Sequence, residues 1–285
     1  MTTAKPPTNL ALYTYYRSSS SWRVRICLAI KGLSYESNPI HLVKAEQRAD
    51  SYVKDVNGMK QVPALSYTYN GKKHIATQSM AIINFLEQAF PPNLGNSDTL
   101  YRKDVEGNAF SFSVAEIINS GIQPLQNLYT CQKISKDSDG ALIGRAFGKD
   151  CIIDGLQTLE AMVLDRWAAR GDEMYVNSEF PTAKFYVLGV DTGDADECGP
   201  TIGDACLIPQ LYNARRFDVD LTPYKCLLKI EESCLKHEAF IEAQPDMQED
   251  CPEADKNKRN DKLREEDVEP VAKKAKSSAE KGKKN

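Results

Sequence analysis

The sequence predicts an α/β domain followed by an all-helical one. Strand-like and helix-like segments alternate over the first ninety or so residues, a stretch PPNLGNSDT reads as a linker at 91–99, and the apolar spacing is helical from there on.

The elements follow in order. LALYTYY at 10–16 is aliphatic and aromatic and reads as a strand. From Ser21, Val24, Cys27, Leu28 and Lys31 keep a helical period, with Ser21 as the N-cap and Gly32 as the stop. SNPIHLV at 37–43 reads as a second strand, and a polar helical or irregular stretch runs on to Asn57. VPALSYTYNGKKHIA is a hairpin turning at Asn70-Gly71. Ser79 caps a helix, MAIINFLEQAF, whose Ile82, Ile83 and Leu86 share a face before Pro91-Pro92. Two strands joined through a helix, with a hairpin added, make a thioredoxin-like arrangement. Helical runs follow at about 99–130, 141–170, 201–217 and 224–241, the first ended or kinked by Pro124.

The domain limits are then 8–90 for the α/β part, 91–98 for the linker, 99–244 for the helical part and 245–285 for a charged, lysine-rich tail. The tail from Lys256 on carries eleven Lys/Arg against six Asp/Glu, leaving −9 of the chain's net −4 on the remainder. With one Leu and two Val in that stretch, too little apolar surface offsets the entropy of ordering, so the tail from 245 is expected to be disordered. KKAK within it is a possible nuclear-localisation signal. The acidic remainder argues against a nucleic-acid interface.

No apolar run approaches the roughly 20 residues a membrane span needs, and the N-terminus lacks a signal-peptide core. A reduced, cytoplasmic setting is the expectation. The eight cysteines are scattered without a CxxC pair and the three histidines are dispersed, so no zinc site is expected and the thiols read as buried or incidental.

Six separated blocks resemble the zeta-class glutathione transferases, the family that includes maleylacetoacetate isomerase. They are YYRSSSSWRVRICLAIKG, NGMKQVPAL, TQSMAIINFLE, GIQPLQNL, GDACLIPQLYNARRFDVDLTPY and the closing EAF, spanning Leu10 to Gln244. The resemblance implies the glutathione transferase architecture, a homodimer and glutathione as cofactor. It also implies isomerisation of maleylacetoacetate to fumarylacetoacetate in tyrosine and phenylalanine breakdown, with transfer to small electrophiles.

It implies roles as well. Gln78 and Ser79 would hold the γ-glutamyl carboxylate at a helix N-terminus. Gln61, Val62 and Pro63, the last two joined by a cis bond in the family, would pair with the tripeptide's backbone. Gln123 would reach glutathione across the domain or subunit boundary. Ser18, Ser19 and Ser20 would surround the sulfur, Ser18 as its hydrogen-bond donor. Arg17, Arg23, Arg25 and Arg216 are candidate cations for an anionic substrate, with Arg23 and Arg216 taken as substrate-binding and Arg216 favoured by NARRF. Trp22 reads as packing, and Asp204 as a structural capping-box carboxylate.

Two departures stand out. Ser20 occupies the family's cysteine position in SSCS, which predicts weakened isomerisation and no thiol exchange. The alternative is a glutathione-binding scaffold or interaction protein whose isomerase activity is lost through Ser20. The second departure is an insertion near 173–200, around a YxxGD-like pattern matched by Tyr186, Gly189 and Asp191.

Overall fold

The computed structural model describes residues 5–92, 99–137, 143–172, 176, 183–191 and 199–256. Its first layer is a four-stranded sheet in the order β2-β1-β3-β4, from β1 (Thr8–Thr14), β2 (Glu36–Pro39), β3 (Ala64–Tyr69) and β4 (Lys72–Thr77). β1 runs parallel to β2, with Tyr13 opposite Asn38, and antiparallel to β3, with Leu12 opposite Leu65. Leu10, Leu12 and Thr14 point into the core from alternate positions of β1, as the strand period of two requires. β3 and β4 close through Asn70 and Gly71, both at positive φ (50° and 73°), the primed turn that the Asn-Gly pair favours.

Helices α1 (Ser19–Ile30) and α3 (Ser79–Ala89) cover the sheet, and α2 (Asp50–Asp55) lies in the connection before β3. Helix α1 is buried nearly all round, because α3, α8 and α10 pack against it and its Val24, Cys27 and Leu28 share a core cluster with Leu10, Leu12 and Leu65 of the sheet. The helical part comprises α4 (Val105–Glu116), a π-helical turn (Ile117–Ile122), α5 (Gln123–Gln126), α6 (Leu128–Asp137), α7 (Ile143–Arg170), α8 (Ile202–Arg216), α9 (Lys225–Cys234) and α10 (Glu238–Glu242). A small hairpin of β5 (Lys184–Tyr186) and β6 (Gly189–Asp191) packs on α9, and Trp167 Nε1 donates to the Tyr186 carbonyl.

A buried ion pair within the first part also holds the start of the second. Lys31 Nζ lies 2.9 Å from Glu87 Oε2 and 3.0 Å from the Phe90 carbonyl. Glu87 in turn accepts the Leu100 N–H at 3.0 Å and the Thr99 hydroxyl at 2.6 Å. The carboxylate is thus fully occupied, which a buried ion needs.

The architecture agrees with the expected fold class, but several local readings change. The cap of α1 is Ser18, whose Oγ accepts the Ser21 N–H, so Ser21 lies inside the helix. Ser79 is the first residue of α3 rather than its cap, which is Gln78 at φ 71°. The run 99–130 is broken: Asp104 caps α4 from outside, the π-helical turn precedes Pro124, and α5 stops at Gln126.

The tail reading is corrected for residues 245–256. A 3₁₀ turn at Pro245–Met247 leads into a segment that packs on the first domain, with Cys251 only 5% exposed against Tyr15, Tyr16, Tyr52 and Val62. A cup of aromatic side chains supplies the burial that the segment's own composition lacks. Residues 257–285, with KKAK, and most of the 173–200 insertion lie outside the described residues.

Candidate active site

The candidate site is built on the N-terminus of α1. Ser18 takes extended geometry (φ −71°, ψ 113°) and its Oγ accepts from Ser21 N at 3.2 Å. That bond uses a lone pair and leaves the hydroxyl proton free to donate elsewhere. Ser19 is buried, Ser18 and Ser20 are half-buried, and no acidic residue stands in the first turn. The end of α1 therefore presents unspent N–H donors and hydroxyls with the positive end of the helix dipole and no carboxylate in its first turn, which suits an anion.

Buried arginines hold this end in place. Arg25 is 1% exposed; its guanidinium donates to the carbonyls of Tyr15 (3.4 Å), Tyr16 (3.0 Å) and Ala243 (3.1 Å) and to Thr14 Oγ1 (3.1 Å). Burial lowers its pKa to about 10. Arg23 is equally buried and donates through Nη1 to Asn119 Oδ1 at 2.8 Å and Ser79 Oγ at 3.3 Å. Neither lies at a solvent rim: both guanidinium groups are turned to acceptors inside the protein. Arginine's long stem lets a residue on an inward helix face reach distant acceptors. Trp22 packs edge-on to Tyr212 at 5.6 Å, as expected.

Ser79 is 5% exposed and Gln78 is exposed beside it at the start of α3. Val62-Pro63 is a cis bond, as the resemblance implied, and Val62 packs with Tyr15 and Tyr16 of the site loop. The side chain of Gln61 is exposed, while its carbonyl takes the Tyr52 hydroxyl (2.7 Å) and Asn57 Nδ2 (2.9 Å), which fixes the approach to Val62. Arg23 thus ties the Ser79 corner to the serine helix, and the Val62 cluster ties the cis-proline corner to it.

From the helical layer, Gln123 is half-buried at the start of α5. One turn earlier, in the π-helical turn, Asn119 takes the bond from Arg23 and gives one to Glu116 Oε2 at 3.2 Å. Asn119 was not singled out from sequence, since it lies two residues before the GIQPLQNL block and the π-helical turn leaves no sequence pattern of its own. In NARRF the two arginines divide: Arg215 chelates Glu231, while the Arg216 guanidinium lies 6.0 Å over the Tyr212 ring. Arg17 is half-buried with its guanidinium 5.2 Å over the Tyr16 ring. Burial raises the Tyr212 phenol, and Arg216 and Arg17 both oppose that rise, so the two cations act on one group.

Asp204 stands apart from this site. Its Oδ2 accepts the Thr201 N–H (2.8 Å) and hydroxyl (2.7 Å), and its Oδ1 accepts the Val187 N–H (3.0 Å). Burial pushes its carboxyl up to about 6 against the pull of those bonds. Burial likewise pushes up the described cysteine thiols, Cys206 to about 11 among them, so none of these is a ready thiolate.

Residues 12–94 match the family described as Glutathione S-transferase, N-terminal domain. A probable maleylacetoacetate isomerase 2 of Drosophila melanogaster is 35% identical over 243 residues, covering 85% of this chain and 90% of the fly protein. The maleylacetoacetate isomerase of Rattus norvegicus is 35% identical over 242 residues, covering 85% and 94%. Among solved structures, the maleylacetoacetate isomerase of Anaeromyxobacter dehalogenans with bound dicarboxyethyl glutathione and citrate in its active site superposes with a TM-score of 0.68. It is 35% identical and is covered completely by 88% of this chain.

Proposed function

The chain belongs to the maleylacetoacetate isomerase family of zeta-class glutathione transferases, and from that premise we propose how its residues carry glutathione-dependent isomerisation of maleylacetoacetate to fumarylacetoacetate. Transfer of glutathione to small electrophiles is the accompanying activity.

The residues present fit glutathione. Among the described residues, Arg23 is buried with neutral hydrogen-bond acceptors alone, Ser79 and Asn119, and its Nε has no partner. A buried cation without an anion beside it is costly. The γ-glutamyl carboxylate, taken by Ser79 Oγ, Gln78 and the free N–H groups of α3, would supply that anion. The Val62 backbone would receive the cysteinyl residue, with Gln61 and Pro63 shaping its approach, and Gln123 would add a contact from the helical side.

When bound, glutathione supplies a sulfur nucleophile that adds reversibly to the cis double bond, so that the bond can turn as a single bond before the sulfur leaves. The chain's part is electrostatic. Ser18 donates its hydroxyl to the sulfur anion while the N–H groups of Ser19 and Ser20 and the α1 dipole favour the ionised form. Ser20 adds a hydroxyl donor where the family has a thiol. A lost charge-assisted contact is worth about 1.5–3 kcal/mol, roughly tenfold to a hundredfold in rate, so the activity is weakened and not abolished. Arg25 fixes the Tyr15 and Tyr16 carbonyls and so the loop carrying Ser18. Arg17 and Arg216 face the substrate's carboxylates and the enolate charge that develops on addition.

The observation that carries this reading is the carboxylate-free, Ser18-capped start of α1, joined to Ser79 through Arg23. Its test is isomerisation of maleylacetone by purified protein with glutathione. Turnover well above the glutathione-only control supports it, and glutathione binding without turnover overturns it in favour of the scaffold alternative. A homodimer and a cytoplasmic location belong to the same proposal, the first checked by sedimentation equilibrium; among the described residues no helix is long and apolar enough to cross a membrane.

A further inference from the structure

The peptide that joins Tyr15 to Tyr16 sets where Ser18 stands. Its carbonyl accepts the Ser18 N–H at 2.9 Å and Arg25 Nη1 at 3.4 Å. Its N–H belongs to Tyr16, which is buried and lies two residues beyond the end of β1 at Thr14, where the strand ladder has stopped. A buried backbone donor needs a partner, and Asp250 supplies it: Oδ2 accepts the Tyr16 N–H at 2.9 Å. The next carbonyl, of Tyr16, takes Arg25 Nη2 at 3.0 Å. One peptide is thus held by a cation at its oxygen and by a carboxylate at its nitrogen, both through charge-assisted bonds.

Asp250 is itself fixed from both sides. Upstream, Arg25 Nε holds the Ala243 carbonyl at 3.1 Å, Gln244 is buried, and Gln248 Nε2 turns back to the carbonyls of Glu242 (3.0 Å) and Gln244 (2.9 Å). Downstream, Cys251 fills the cup of Tyr15, Tyr16, Tyr52 and Val62, and Asp255 Oδ2 accepts the Tyr16 hydroxyl at 2.7 Å. The Cys251 thiol is pushed up to about 11 by burial and by Asp255, Asp246 and Asp250, so it packs as a neutral group. Because the cup includes Val62, a single segment braces both the serine loop and the cis-proline corner.

We propose that Asp250 is a positioning residue for Ser18, holding the Tyr15–Tyr16 peptide from which the Ser18 N–H hangs, and that residues 245–256 are the strap that keeps it there. The inference rests on the assignment of Ser18 to the sulfur of glutathione. Asp250 acts on that sulfur by two routes of opposite sign. Its negative charge disfavours a sulfur anion, whereas its accepting oxygen places the donors that favour one. Removing the charge alone therefore lowers the midpoint at which the bound thiol ionises. Removing the acceptor lets the loop shift and raises it, since a displacement of about 1 Å at a reacting group is already costly.

The test reads thiolate ultraviolet absorbance against pH for glutathione bound at saturation to the full-length protein. Asp250→Ala should raise the midpoint by about one pH unit, a tenfold smaller ionised fraction at a given pH below it. Asp250→Asn keeps an oxygen to accept the Tyr16 N–H and should leave the midpoint at or below the wild-type value. A general loss of stability would not divide the two variants in this way. No rise in Asp250→Ala, or an equal rise in Asp250→Asn, overturns the proposal. Should the alanine variant not fold, Asp250→Glu keeps the charge and moves the oxygen by one methylene; a raised midpoint is again expected, and an unmoved one overturns the proposal. Ser18→Ala separates the causes of failure. If it raises the midpoint while Asp250→Ala does not, the serine assignment stands and the role of Asp250 falls; if neither variant moves it, both fall.

Discussion

Helices α1 and α8 both start at a hydroxyl residue, Ser18 and Thr201, yet their N-termini are put to opposite uses. At α8 the orphan donors are consumed inside the protein. Asp204 takes two donors from Thr201 and one from Val187, and neither Thr201 nor Asp204 has exposed surface. At α1 the cap makes one weak bond, Ser21 N to Ser18 Oγ at 3.2 Å, and no carboxylate follows in the first turn. Satisfying every donor fixes a structure; leaving donors unspent beside a ligand site makes a helix end available to an anion. One chemistry thus serves stability in the second layer and, as proposed, thiolate binding in the first.

The largest effect should come from breaking the satisfied end. Asp204→Ala strands three buried donors and should cost about 3–5 kcal/mol of stability, read as a lowered Tm, with kcat of the folded protein unchanged. Similar loss from Ser18→Ala would erase the contrast.

The next concerns pH. Asp204 titrates near 6 in the folded protein against an ordinary 3.8, so between those values the native state keeps a proton that the unfolded chain has released. Stability from this group therefore falls as pH rises through about 4 to 6 and is flat above; the total is about 3 kcal/mol at about 1.4 kcal/mol per pH unit. Denaturant titrations across that range should show the slope, and Asp204→Asn should flatten it.

At the open end, Ser18→Ala should lower kcat/KM for isomerisation about a hundredfold while costing only about 1 kcal/mol of stability. Trp22→Phe should cost less activity than Ser18→Ala, and the reverse order would undo the assignment of roles. The smallest effect is a gain: Ser20→Cys should raise isomerisation by about tenfold, the low end of the range set by the lost contact. An unchanged rate would mean that the position does not limit turnover.

The contrast also marks how far the sequence could be read. Strand-helix alternation and Asn70-Gly71 are local patterns, and they led to the correct sheet. The structural role of Asp204 was legible because a capping box lies within four residues. Which serine caps α1 was not, because any of four adjacent hydroxyls satisfies the local rule and the choice falls to the Arg25 network that places the loop. The burial of Arg23 and Arg25 was equally hidden, since their acceptors at Asn119 and Ala243 are remote in sequence. The docking of Asp250, Cys251 and Asp255 was hidden for the same reason: composition measures what a segment brings, not the aromatic cup waiting for it.

The most direct test of the α1 assignment is the ionisation of the glutathione thiol on the protein, followed by thiolate ultraviolet absorbance against pH. A bound thiol that ionises well below the ordinary value of about 8.5, and returns toward it in Ser18→Ala, is the result expected. A bound thiol that titrates in the wild-type protein as it does free in water would contradict the claim that this helix end holds a sulfur anion.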